Sequence, residues 1–156
     1  MNWSIAINLI FISCISGLYF FRDFVFVNSN SQIEYLKDII GNEYADSFPN
    51  YTHSKMVRFF GNWNIQTIIN FKWYMTLAFT AVFGIVTSIG LYIANTRRIA
   101  IYSLFIYIIC FVVAYLISLM AYPVARQIVA LLHSPIPYLI LLIAGFIETR
   151  IDNRHA

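Results

Sequence analysis

The chain has 156 residues, 60% of them apolar and 11% charged, against roughly 45–50% and about 25% in soluble domains. A soluble fold of this length has too unfavourable a surface-to-volume ratio to hide so much apolar material, so the excess must face lipid and a soluble enzyme is excluded. The net charge of +3 is scattered, without the basic blocks that nucleic acid requires of a partner.

The first predicted element runs from Asn2 to Phe21, uncharged and close to the roughly 20 residues that cross a bilayer as a helix. It has no basic leader, and Gly17-Leu18-Tyr19-Phe20-Phe21 is not a small-residue cleavage site, so it reads as an uncleaved span and not a signal peptide. Cys14 here and Cys110 further on lie in apolar runs and read as small packing residues, not as a disulfide or metal ligands.

Residues 22–72 form the long polar loop. Arg22 and Asp23 open it as interfacial anchors. Ser31-Gln32-Ile33-Glu34 matches a capping box, and Ile33, Leu36, Ile39 and Ile40 follow at helical spacing up to a stop at Gly41. A second apolar face combines Met56, Phe59, Phe60 and Trp63, interrupted by Gly61. Short amphipathic helices of this kind lie on a membrane surface or cap a bundle.

The second span is predicted over 73–94, opened by Lys72 and Trp73. Within it Thr80, Gly84 and Ser88 recur every four residues, a small-residue ridge that lets helices approach closely in lipid. It serves packing within the chain or docking on a larger partner. Arg97 and Arg98 fill a tight turn before the third span, 99–122, whose thirteen Ile, Leu, Val and Phe residues sum to about −4 kcal/mol of insertion free energy. Arg126 follows as an interfacial charge, and an ion pair between Asp23 and Arg126 is a further expectation, to be tested by charge reversal at both positions.

The fourth apolar run, Gln127 to Ile147, contains His133-Ser134-Pro135-Ile136-Pro137. Proline removes a backbone donor and breaks the preceding turn. The pattern predicts a lead-in helix over 124–133 lying at the interface and a restart with Ser134 as N-cap and Pro135 as the first helical residue, giving a spanning helix over 135–150. Trp73, Tyr74, Tyr92, Tyr102, Tyr122 and Tyr138 lie near span ends, where amphipathic rings form an aromatic belt. The sequence therefore predicts an all-α, polytopic membrane protein: a single membrane domain with about four spans and interfacial helices in its first loop. An even number of spans puts both termini on one side. Arg97, Arg98, Arg150 and Arg154 weigh that side as cytoplasmic and the loop as external, against Arg22, Lys37, Lys55, Arg58 and Lys72.

The chain carries no HExxH, CxxC, GxSxG or P-loop pattern. Its histidines, His53, His133 and His155, are far apart, and the carboxylates Asp23, Glu34, Asp38, Glu43 and Asp46 read as solvated charge. His133-Ser134 would need adjacent helical side chains to face each other, which they rarely do. No catalytic group, metal or cofactor is expected. The sequon Asn50-Tyr51-Thr52 matters only in a eukaryotic secretory membrane.

Three stretches carry a resemblance. They are Tyr19-Phe20-Phe21-Arg22-Asp23-Phe24-Val25-Phe26-Val27-Asn28, Lys72-Trp73 with Thr76-Leu77, and Ala125-Arg126-Gln127 leading to Ser134-Pro135 before a final apolar helix. Together the chain resembles the small bacterial membrane proteins that accompany exosortases of the F and X types. The resemblance implies an accessory role beside a multi-span, transpeptidase-like enzyme that processes sorting signals on exported proteins, in the bacterial inner membrane. The Cys, Arg and His constellation of the exosortase itself has no counterpart here. Two other functions are set against this one: a structural subunit of another membrane assembly such as a respiratory complex, and a membrane enzyme or ligand-binding protein using His133 and the loop carboxylates.

Overall fold

The computed structural model describes residues 3–39, 54–94 and 96–155. Every regular element among them is helical: α1 (Trp3–Ile39), α2 (Val57–Phe60), α3 (Ile65–Ile93), α4 (Arg97–Ser118), α5 (Tyr122–Leu132) and α6 (Ile136–His155). Helices α1, α3 and α4 are each long and apolar enough to cross a membrane, and α5 with α6 passes the same test as a pair bent by 57°. The chain is an all-α, polytopic membrane protein. It divides into two compact units, Met1–Tyr19 with Phe79–Ala156, and Phe20–Ala78.

In the first unit the path of the chain follows from a few contacts. Helix α4 has 22 residues, about 33 Å of length, so its ends lie at opposite faces of the hydrocarbon layer. Helix α5 starts just beyond its C-terminal end. Helix α6 passes its N-terminal end, where a Cβ on Gly145 would stand 2.5 Å from Thr96 Cγ2 and Arg98 Nη1 lies 3.9 Å from Glu148 Oε1. The bent pair therefore leads from beside the C-terminal end of α4 back past its N-terminal end. Near the same end, Gly90 lies between the rings of Tyr138 and Phe11.

The break sits where the prolines demanded it, with the restart moved by one residue. Pro135, not Ser134, supplies the first helical acceptor, to Leu139 N–H (3.1 Å). Ser134 Oγ still accepts from Ile136 N–H at 3.3 Å and donates to Leu131 O at 2.7 Å. Pro137 falls in the first turn of α6, where its missing N–H leaves no gap.

The second unit differs from the expected loop. Helix α1 does not stop at Phe21 but runs unbroken to Ile39. Its polar residues are compatible with helix because Asn28 Nδ2, Ser29 Oγ and Ser31 Oγ each donate to the carbonyl four residues back, at 2.8, 2.7 and 3.1 Å. Ser31 is therefore mid-helix and not an N-cap, and Glu34 is exposed. What holds the segment is burial of one stripe. Ile33 meets Phe60 and Ile68 in a small core, with Leu36, Met56, Trp63, Ile65, Ile69 and Phe71 packed around it. Helix α3 starts before the expected span as well, capped by Asn64, whose Oδ1 accepts from Thr67 N–H and Oγ1–H, both at 2.8 Å. Gly41, Glu43, Asp46 and the sequon lie outside the described residues.

Candidate functional site

The strongest concentration of buried polar groups is a seam inside the first unit, built on α3 and met by α4, α6 and the start of α1. Its deepest member is His133, fully buried at the break between α5 and α6. Its Nε2 shares a hydrogen bond of 2.8 Å with Thr80 Oγ1. The imidazole lies parallel to the Phe83 ring, centroids 5.2 Å apart and planes 12° from each other, with Phe79 tilted beside it at 6.3 Å. Residues 80 and 83 are one helical turn apart and so share a face of α3. That spacing gives the ring a hydroxyl at its edge and an aromatic plane at its side.

Along the same face of α3 the seam continues. A Cβ on Gly84 would lie 3.3 Å from Tyr107 Cγ, so glycine admits the α4 tyrosine, whose hydroxyl reaches Thr87 Oγ1 at 3.3 Å. Ser88 Oγ donates to Ala100 O at 2.7 Å. The ridge of Thr80, Gly84 and Ser88 is thus committed to contacts inside the chain: each of its members faces α4 or the α5–α6 break. Ser134 and His133 engage different groups, so the adjacent pair forms no joint site.

One member of the seam was misassigned by the sequence. Tyr138, expected in the aromatic belt, is fully buried. Its hydroxyl donates to Asn8 Oδ1 at 2.7 Å, and its ring stacks against Phe11 with centroids 6.4 Å apart. A position three residues past a helix break lies well inside the span when the break itself is inside, and Asn8, a polar residue in an apolar run, was the available signal. Trp73, Tyr74, Tyr92, Tyr102 and Tyr122 are exposed, as belt residues are.

Charged candidates lie elsewhere. In the second unit Arg22 is buried, its guanidinium 4.7 Å from the Phe26 ring centre and its Nη1 3.3 Å from Asp23 Oδ1. The Asp23 side chain is 49% exposed, on a helix surface that also exposes Phe20, Phe21, Phe24 and Val27. Lys72 Nζ donates to Asn30 Oδ1 at 2.6 Å, and Trp73 projects outward beside it. Arg126 stands exposed on α5 in the first unit. Glu34 and Asp38 are exposed, and Cys14 and Cys110 are free thiols. His53 lies outside the described residues.

Chemically, the seam joins helices: hydroxyl, amide and imidazole groups meet one another across the interfaces where lipid offers no partner. Comparison with protein-family models, with curated proteins and with solved structures finds no match for this chain.

Proposed function

We propose that this chain is a non-catalytic accessory subunit of a bacterial inner-membrane protein-sorting system, docked on a larger multi-span protein of the exosortase type. The observation that carries this reading is Asp23. Its carboxylate is half exposed among outward-facing phenylalanines, five residues before the helix turns polar at Asn28, about 7 Å inside that boundary. A carboxylate at such a depth is costly against lipid and is normally directed at a partner charge or polar cavity. Arg22 meets it from one side at 3.3 Å, and a basic group on a neighbouring protein would meet it from the other. The resemblance described above includes this stretch and gives the neighbour its class. In this reading the termini are cytoplasmic, the long loop after the first span faces the compartment where cargo is processed, and the chemistry belongs to the partner.

The test is gentle extraction of the tagged native protein followed by mass spectrometry of stoichiometric partners. An exosortase-like protein in the eluate, lost in Asp23→Asn, supports the proposal. A redox or energy-coupling complex in its place makes the chain a structural subunit of that assembly, and a clean monomer or homo-oligomer in several detergents overturns the docking role. Exchange of the charges, Asp23→Arg with Arg126→Asp, separates a pair within the chain from docking: restored assembly points to the internal pair.

A second reading rests on His133, a fully buried imidazole at a helix break inside a span. A ligand-binding or catalytic role there requires that His133→Ala abolish function while insertion and partner recovery persist. If that variant is silent, this second reading is finished.

A further inference from the structure

We infer that the segment from Lys55 to Trp63 is an interfacial anchor that holds the headgroup of an anionic phospholipid. The inference concerns the second unit alone and does not depend on which protein the chain accompanies.

Its depth follows from three hydrogen bonds. On α1 the outward apolar surface ends at Val27 and polar residues begin at Asn28. On α3 the polar stretch ends at Lys72, and outward aromatic residues begin at Trp73 and Tyr74. Lys72 Nζ donates to Asn30 Oδ1 at 2.6 Å, which sets the two boundaries at one level. Lys55 N–H donates to Asn28 Oδ1 at 2.6 Å, and the buried Ser54 accepts from Met56 N–H at 3.1 Å, which fixes the start of the segment at that same level. From there α2 lies against Ile68 and Phe71 of α3, a few residues on the polar side of the boundary, where headgroups lie.

The chemistry of the segment suits that layer. Phe59, Phe60, Trp63 and Phe71 form one aromatic cluster with ring centroids 5.3–6.0 Å apart. Phe60 is fully buried in it, whereas Phe59 is 53% exposed. Lys55 and Arg58 are both exposed on either side of Met56 and Val57, and no ion pair among the described residues holds either one. Two basic groups next to an outward phenylalanine, at the depth where aromatic rings gather, complement a negative headgroup above an acyl chain. Gly61, with φ +48°, turns the chain back toward α3 and keeps the segment to a single helical turn.

The test uses the full chain with Trp63 as its only tryptophan (Trp3→Phe, Trp73→Phe), reconstituted in nanodiscs of phosphatidylcholine with or without phosphatidylglycerol. Each lipid in turn carries bromine near the headgroup end of its acyl chain. Trp63 emission is expected to be quenched, and more strongly by brominated phosphatidylglycerol than by the brominated choline lipid. Lys55→Gln and Arg58→Gln, both surface changes, should each lower that preference by up to about fivefold, with quenching by the choline lipid retained. Trp63 unquenched by either lipid means that water or a protein partner covers the segment and overturns the inference. Equal quenching by both lipids in the unsubstituted protein overturns the headgroup assignment.

Discussion

His133 is held by two side chains one turn apart on α3, and each contact carries its own consequence. Truncation to Ala removes the ring from Phe83 and leaves the Thr80 hydroxyl without the imidazole that it bonds at 2.8 Å, a combined cost of about 2–4 kcal/mol. His133→Ala should therefore lower the thermal midpoint in detergent clearly. Thr80→Val should lower it less, because the Phe83 stack survives. The two together should cost less than their sum, and additive effects would show that the hydrogen bond couples nothing. The sequence drew attention to His133 through its proline-flanked break and to Thr80 through its small-residue ridge, but no pattern paired the two, which are 53 residues apart. Spacing along one helix is legible. The partner across a helix–helix interface is not, because it depends on which faces are turned together.

At the scale of elements, glycines separate packed faces from open ones. Gly145 stands where α6 crosses the α3–α4 turn, and an added Cβ would meet Thr96 Cγ2 at 2.5 Å and Cβ at 2.7 Å. The Thr96 side chain is fixed by its own bond to Leu91 O at 2.8 Å, so it cannot swing away cheaply. Gly145→Ala should cost about 1–3 kcal/mol. Gly17, with nothing within 4 Å of an added Cβ, should tolerate Ala and gain up to about 1 kcal/mol of helix propensity. Equal melting shifts for the two variants would refute the packing assigned to α6. The elements that sequence patterns mistook are instructive here. Asn28, Ser29 and Ser31 have the composition of a loop, yet their hydrogen bonds to carbonyls one turn back let α1 run to Ile39. A helix needs only one buried stripe, and Ile33 provides it once Phe60 and Ile68 are in place.

For the whole molecule the decisive matter is the number of crossings. Helix α4 has 22 residues, about 33 Å, so the residues before and after it lie on opposite sides of the membrane. With Cys14 and Cys110 replaced by Ala, Arg126→Cys and Arg98→Cys, both exposed, should react with a membrane-impermeant maleimide from opposite faces. Cysteine at His155 should label with Arg98→Cys, because the broken α5–α6 pair returns the chain to that face. Labelling of the position 155 cysteine together with Arg126→Cys would make the pair a re-entrant loop and leave three crossings.

The amino-acid sequence alone determined that the chain enters a membrane, because its apolar excess exceeds what any soluble fold of this length can bury. It also determined where the last apolar run breaks, since proline geometry is a property of a local segment. The tertiary structure decided the rest. It committed the Thr80, Gly84 and Ser88 ridge to contacts within the chain, took Tyr138 out of the belt and into the core beside Asn8, and extended α1 beyond its apolar run. Each of these depends on a face found by a distant segment, and in lipid, where apolar surface is satisfied everywhere, the few polar and small residues choose which faces meet.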